Sequence, residues 1–243
     1  MTRSLGALVL TALLFAAGSS AAAPPQSLRV LFVGNSLTAT NDLPAHVADL
    51  ASATGRTLEY RTVAFGGYNL EDHWNNGEAR RALADGGWDV VVMQQGPSAF
   101  PESQADLRLW ATRFADEARS HGTRPALLTV WPEGWRAAAL RDVIRSYSRA
   151  AVAARAELLP AGVAWQLAWR CNARTPLYGP DDFHPSPTGT YAAALVVYGR
   201  LFRAPLRTRE LLPSGIPSRT SRLLQASAVR ALGRKLRPRE RCG

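Results

Sequence analysis

Cysteine is scarce in this chain. Cys171 and Cys242 are the whole supply in 243 residues, and no Cys-x-x-Cys string occurs, which excludes the common zinc and thiol-redox spacings. Histidine is nearly as scarce. His46, His73, His121 and His184 stand far apart, so no His-x-x-x-His pair shares a helix face, and there is no Gly-rich phosphate loop. The expectation is therefore no cofactor and no metal. The absence of any Gly-x-Ser-x-Gly string removes the α/β-hydrolase elbow. No internal repeat is present. Beyond Gly18 no apolar run is long enough to span a bilayer.

What is there begins with a leader. Arg3 supplies a positive start, 5–18 is apolar but short for a span, and Ser20-Ala21-Ala22 offers small residues for cleavage. Residues 1–22 thus read as a signal peptide and 23–27, with Pro24-Pro25, as a linker. No cysteine lies nearby to anchor a lipid. A secreted or periplasmic protein is expected, with no membrane span after signal removal. An oxidising compartment permits a Cys171–Cys242 disulfide, although sequence does not set their separation in space. From Arg203 onward ten arginines and Lys235 face only Glu210 and Glu240, so nine of the ten net positive charges sit at that end. A basic tail suits nucleic acid or an anionic surface; it is equally a solvated helix with a frayed end. No nucleic-acid motif accompanies it, and no nucleic-acid partner is expected. Oligomeric state is not legible.

Between these ends, strand and helix alternate. Five of the six residues of 28–33 are apolar and Gly34 ends the run, as in a buried strand. Gly34 is read as a turn residue whose backbone takes angles others avoid. A helix follows over 43–53, with Asp42 as cap and Pro44 in its first turn. Further strands are expected at 58–64, 88–93, 126–130 and, weakly, 158–163. Helices are expected at 70–84, 102–120, 137–156 and 190–202. The loop 178–187 is rich in Gly, Pro and Asp. This pattern predicts an α/β domain over 28–204, a parallel five-stranded sheet in a three-layer α/β/α arrangement. A basic tail over 205–243 follows, with a linker at 205–217 and a helix at 218–235 docked by Leu223, Leu224, Val229 and Leu232.

Ser36 lies at the carboxyl end of the first strand, where ligands and catalytic groups gather in open α/β sheets; locally, Gly-Asn-Ser is also a plain turn. A hydroxyl nucleophile needs a base, and the base needs an orienting group. His46 and His121 read as surface residues. His73 falls near the expected site with no loop geometry to select it. His184 stands in Asp181-Asp182-Phe183-His184-Pro185, whose Asp-x-x-His spacing lets one short loop present both side chains together; the two aspartates can equally cap a turn.

In combination these blocks resemble the SGNH, or GDSL-like, hydrolase superfamily. Gly34-Asn35-Ser36-Leu37-Thr38 matches its first block with Asn in place of the frequent Asp, Phe65-Gly66-Gly67 its glycine block, and Asp181 to Pro185 its last. The likeness runs in order over 28–202. It implies a flavodoxin-like SGNH fold and ester hydrolysis with Ser36 as nucleophile, His184 as base and Asp181 as its orienter. It also implies an oxyanion hole lined by the N–H groups of Ser36 and Gly67. The family's third block offers Gly-x-Asn, where this chain has Gly96-Pro97-Ser98. Some sugar esterases of the superfamily carry Gln-Gly there, so Gln95 is the expected third donor, with Gln94 and Ser98 as alternatives. Tyr68, Trp74, Trp131, Trp135, Tyr178 and Phe183 crowd the candidate loops. The expected substrate is a small acyl ester, an acetyl ester among the candidates, with a carbohydrate as one candidate alcohol. A non-catalytic carbohydrate-binding protein or an O-acyltransferase on the same fold are the alternatives.

Overall fold

The computed structural model describes residues 23–235 and 242; the expected leader, 1–22, lies outside the described residues. The chain runs β1 (Ser27–Gly34), α1 (Ser36–Ala39), α2 (Leu43–Ser52), β2 (Thr57–Ala64), α3 (Leu70–Asn76), α4 (Glu78–Ala84), β3 (Val90–Met93), α5 (Pro101–Ser120) and β4 (Arg124–Leu128). A 3-10 turn (Gly134–Ala139) leads into α6 (Leu140–Ala153), β5 (Glu157–Leu159), α7 (Ala161–Cys171), α8 (Pro187–Leu201) and α9 (Ser218–Ala231).

All five strands are parallel, in the order β2-β1-β3-β4-β5. A parallel strand covered on both faces reads as a continuous apolar run. Val30 to Val33 and Val90 to Met93 are such runs, each residue at most 1 % exposed. Helices α2, α7, α8 and α9 pack on one another in one layer, and α3, α4, α5 and α6 in the other. The chain leaves β1 for β2 on one side and then crosses to β3 on the other. The carboxyl ends of β1 and β3 therefore flank the switch point at which such sheets bind ligands.

Several expectations meet corrections. The helix expected over 70–84 is two, broken at Gly77, whose φ of 80° ends α3. Gly34 belongs to β1 rather than a left-handed turn. What it needs is space, because a Cβ there would fall 2.5 Å from Gln94 Oε1 and 2.6 Å from Thr38 Oγ1. The weak strand expected at 158–163 ends at Leu159, and α7, which was not anticipated, begins at Ala161. No described helix is long and apolar enough to cross a membrane. Helix α9 docks on α7 and α8 through Leu223, Leu224 and Val229, with Leu232 buried just past its end. A disulfide joins Cys171, the last residue of α7, to Cys242.

Candidate active site

The turn after β1 is bonded on every side. Asn35 caps α1, its Oδ1 accepting from Leu37 N–H at 3.0 Å and from Gln94 Nε2 at 2.9 Å. Its own N–H donates to Gln94 Oε1 at 2.9 Å, and its Nδ2 donates to Tyr68 O at 3.0 Å. Thr38 Oγ1 donates to the same Gln94 oxygen at 2.8 Å. The preceding carbonyl, Gly34 O, accepts from Phe65 N–H at 3.2 Å and from His73 Nε2 at 2.6 Å. These bonds fix the first residue of α1, Ser36, which is partly exposed. Its hydroxyl has no hydrogen-bond partner among the described residues.

The loop 178–187 is a second rigid unit. Tyr178 bridges Pro185, and Gly179 N–H donates to His184 O at 2.7 Å. Inside it, His184 Nδ1–H donates to Asp181 Oδ2 at 2.5 Å. Asp181 Oδ1 accepts from the N–H groups of His184 at 3.0 Å and Phe183 at 3.2 Å. The His184 bond, then the Phe183 N–H, hold the Asp181 carboxyl below the usual carboxylate range. With Nδ1 committed, Nε2 is the basic position left. The segment after β4 braces the loop: Trp131 Nε1 donates to Phe183 O at 3.1 Å, Tyr178 OH to Pro132 O at 2.5 Å, and Gly134 N–H to Asp182 O at 2.7 Å.

Asn41 joins the two units. It follows α1 and donates through Nδ2 to Pro185 O at 2.8 Å and Thr190 Oγ1 at 3.0 Å. The turn carrying Ser36 and the loop carrying His184 thus share one rim, beside a cavity of about 670 Å3 whose lining includes Thr40, Asn41, Asp181 and His184. No hydrogen bond joins Ser36 to His184 among the described residues; such bonds often tighten only around substrate.

Gln95 does not serve as expected. Its side chain is buried, with Oε1 accepting from Leu70 N–H at 3.2 Å. Both amide protons are spent, on Ser98 Oγ at 3.1 Å and Asp106 Oδ2 at 3.0 Å. The alternatives fare no better. Gln94 Nε2 gives its protons to Asn35 and to Gln95 O, and Ser98 Oγ donates to Gly96 O. The third strand's polar end is a brace, seated on Tyr147, whose phenol donates to Gln95 O and whose burial pushes its pKa up. What stays available is main chain: neither Ser36 N–H nor Gly67 N–H has a partner among the described residues, and nothing lies within 4 Å of a Cβ built on Gly67.

Sequence reasoning missed His73, Gln94 and Asn41 as supports. His73 shares the buried face of α3 with Leu70, a spacing that marks it as inward-facing. Nothing local distinguishes Gln94 from Gln95. Of the six aromatics noted above, Trp131 is buried face to face on Trp165, and Trp74 packs edge-on against Phe114. Trp135 alone is widely exposed. Among the described residues no group of three or more His, Cys, Asp or Glu is placed to hold a metal ion.

No family model matches the sequence, and no curated protein does. Solved structures do. A protein from Slackia heliotrinireducens assigned to the SGNH hydrolases is 28 % identical with a TM-score of 0.61, over 71 % of this chain and 97 % of its own. A DUF4886 family protein from Bacteroides uniformis reaches a TM-score of 0.74 at 20 % identity, over 85 % and 95 %. A lipase/acylhydrolase from Enterococcus faecalis gives 0.59 at 15 %, over 72 % and 96 %. The last two likenesses speak for the fold alone. Taken with the sheet order and with blocks that fall at the ends of β1 and β2 and before α8, these comparisons give the chain the fold of the SGNH hydrolases and a likeness in sequence to one of them.

Proposed function

We propose that this chain is an exported serine esterase for short acyl esters. The observation that carries the reading is the Asp181–His184 pair, held on a loop that Asn41 ties to the turn bearing Ser36. His184 Nε2 takes the Ser36 proton as Oγ forms a bond to the ester carbonyl carbon. The carbonyl oxygen becomes an oxyanion facing the N–H groups of Ser36 and Gly67. Each such donor contributes roughly 3 kcal/mol to lowering the barrier. His184 then gives its proton to the departing alcohol, which leaves an acyl group on Ser36. A water attacks the acyl-enzyme, losing its proton to Nε2, which then passes it to Ser36 Oγ as the acid departs. Asp181 stays ionised throughout and stabilises the imidazolium. With the side chains of Gln94, Gln95 and Ser98 committed elsewhere, the hole in this reading is built from backbone alone.

The test is hydrolysis of nitrophenyl acetate by the purified protein and by Ser36→Ala and His184→Ala. Each substitution is expected to lower kcat by about 10³-fold or more, and the double variant little further, since such groups act as a unit. Labelling by a fluorophosphonate should require Ser36. Near-normal turnover in Ser36→Ala would remove the assignment.

A further inference from the structure

Two aromatic side chains are left open where the loops after β3 and β4 meet. Trp135 is 70 % exposed and Phe100 60 %. Arg136 connects the two loops: its guanidinium lies over the Phe100 ring at 4.9 Å while Nη1 donates to Glu133 Oε2 at 3.1 Å. The other terminal nitrogen, Nη2, has no acceptor among the described residues. This patch is continuous with the catalytic loop. Gly134, the residue before Trp135, donates its N–H to Asp182 O, two residues ahead of His184. A Cβ on Gly134 would strike the Asp182 carboxylate, so the two loops are in direct contact.

We propose that Trp135, Phe100 and Arg136 form a saccharide-binding platform beside the active site, which makes the substrate an acylated oligosaccharide. This rests on the esterase reading for the reaction, though not for the binding. A pyranose ring offers a face of C–H groups to an aromatic ring and an edge of hydroxyls to charged groups. The patch supplies both, two open rings and a Glu133–Arg136 pair whose guanidinium lies over one of them. An acyl chain or lipid surface fits poorly, since covering the rings with hydrocarbon would strip water from that ion pair.

Binding is read first, by calorimetry, with unacylated xylo-, manno- and gluco-hexaoses and the full-length Ser36→Ala protein. At least one sugar is expected to bind, and adding Trp135→Ala or Phe100→Ala to weaken it about tenfold, the scale of one lost stacking contact. Hydrolysis is read next, as the ratio of kcat/KM on the acetylated form of that sugar to kcat/KM on nitrophenyl acetate. Trp135→Ala should lower this ratio about tenfold through KM, whereas Val152→Ala, an exposed apolar residue on α6, should not. Binding of no hexaose, or binding indifferent to both aromatics, overturns the platform while nitrophenyl acetate turnover still stands. Sugar binding that needs Trp135 in a protein inert toward every ester keeps the platform and removes the esterase. A dimer in sedimentation that Trp135→Ala dissolves would overturn the saccharide assignment in favour of a protein contact.

Discussion

His73 sits beneath the turn that carries Ser36, fully buried, with its ring against those of Phe65 and Tyr68. Its Nε2–H is given to Gly34 O, so Nδ1 is the unprotonated nitrogen, and it is buried with no partner among the described residues. Burial pushes this imidazole below its ordinary value. The unfolded chain then takes up the proton first as pH falls. Stability from this site is complete above about pH 6.5 and is lost as pH drops from there toward the lower folded value. Urea midpoints should therefore fall for the wild type over that window and stay flatter for His73→Gln, which keeps a donor for Gly34 O; equal slopes would exclude the site as the cause. At this scale strand-Gly-Asn-Ser and Asp-x-x-His are local patterns that need only a few neighbours, so the sequence singles out Ser36, Asp181 and His184, and the last two form one hydrogen-bonded pair. It misread Gln95. Whether a buried amide faces a substrate or the protein depends on its partners, here Asp106 on α5 and Leu70 on α3, and no local pattern carries that.

Among the elements, the connection from α1 to α2 has a role beyond linking them. Asn41 holds φ at 56° and spans from the turn bearing Ser36 to Pro185 and Thr190. Asn41→Ala loses both bonds and strains the backbone, at about 1–2 kcal/mol. Asn41→Gly accepts the backbone angle and loses only the tether. Melting temperature and esterase kcat measured on both separate the effects: the glycine variant should recover part of the stability but little of the lost turnover. The alternation of strands and helices was legible because each buried parallel strand is a short apolar run ended by polar or Gly-rich residues. Helix α7 was hidden by the same rule. Leu158 and Leu159 begin an apolar run that continues through Val163, and a short apolar run does not declare its period. The signal lay further on, in Ala161, Ala164, Trp165 and Ala168, which recur at helical spacing and are all buried.

For the whole molecule, the Cys171–Cys242 disulfide closes a segment of 71 residues that includes the loop carrying Asp181 and His184, α8 and α9. Closing so long a loop restricts the unfolded chain, and losing the bridge costs about 2–4 kcal/mol. Cys171→Ser with Cys242→Ser should lower the melting temperature by roughly 5–15 °C while leaving nitrophenyl acetate turnover largely intact; an unchanged melt would show that α9 docks without help. The sequence pointed to this pair by compartment and by their being the chain's two cysteines; in the fold α9 packs against α7, whose last residue is Cys171. The packing of Trp131 on Trp165, with centroids 3.5 Å apart and planes 8° from parallel, has an optical consequence. Two indoles that close share their excited state, so the near-parallel pair forms one coupled chromophore rather than two. Trp131 is also bonded to Phe183, the neighbour of His184. Light absorbed at the floor of that loop is thus polarised and shifted by how the loop is seated, and the ultraviolet spectrum of the intact protein becomes a gauge of where His184 is held.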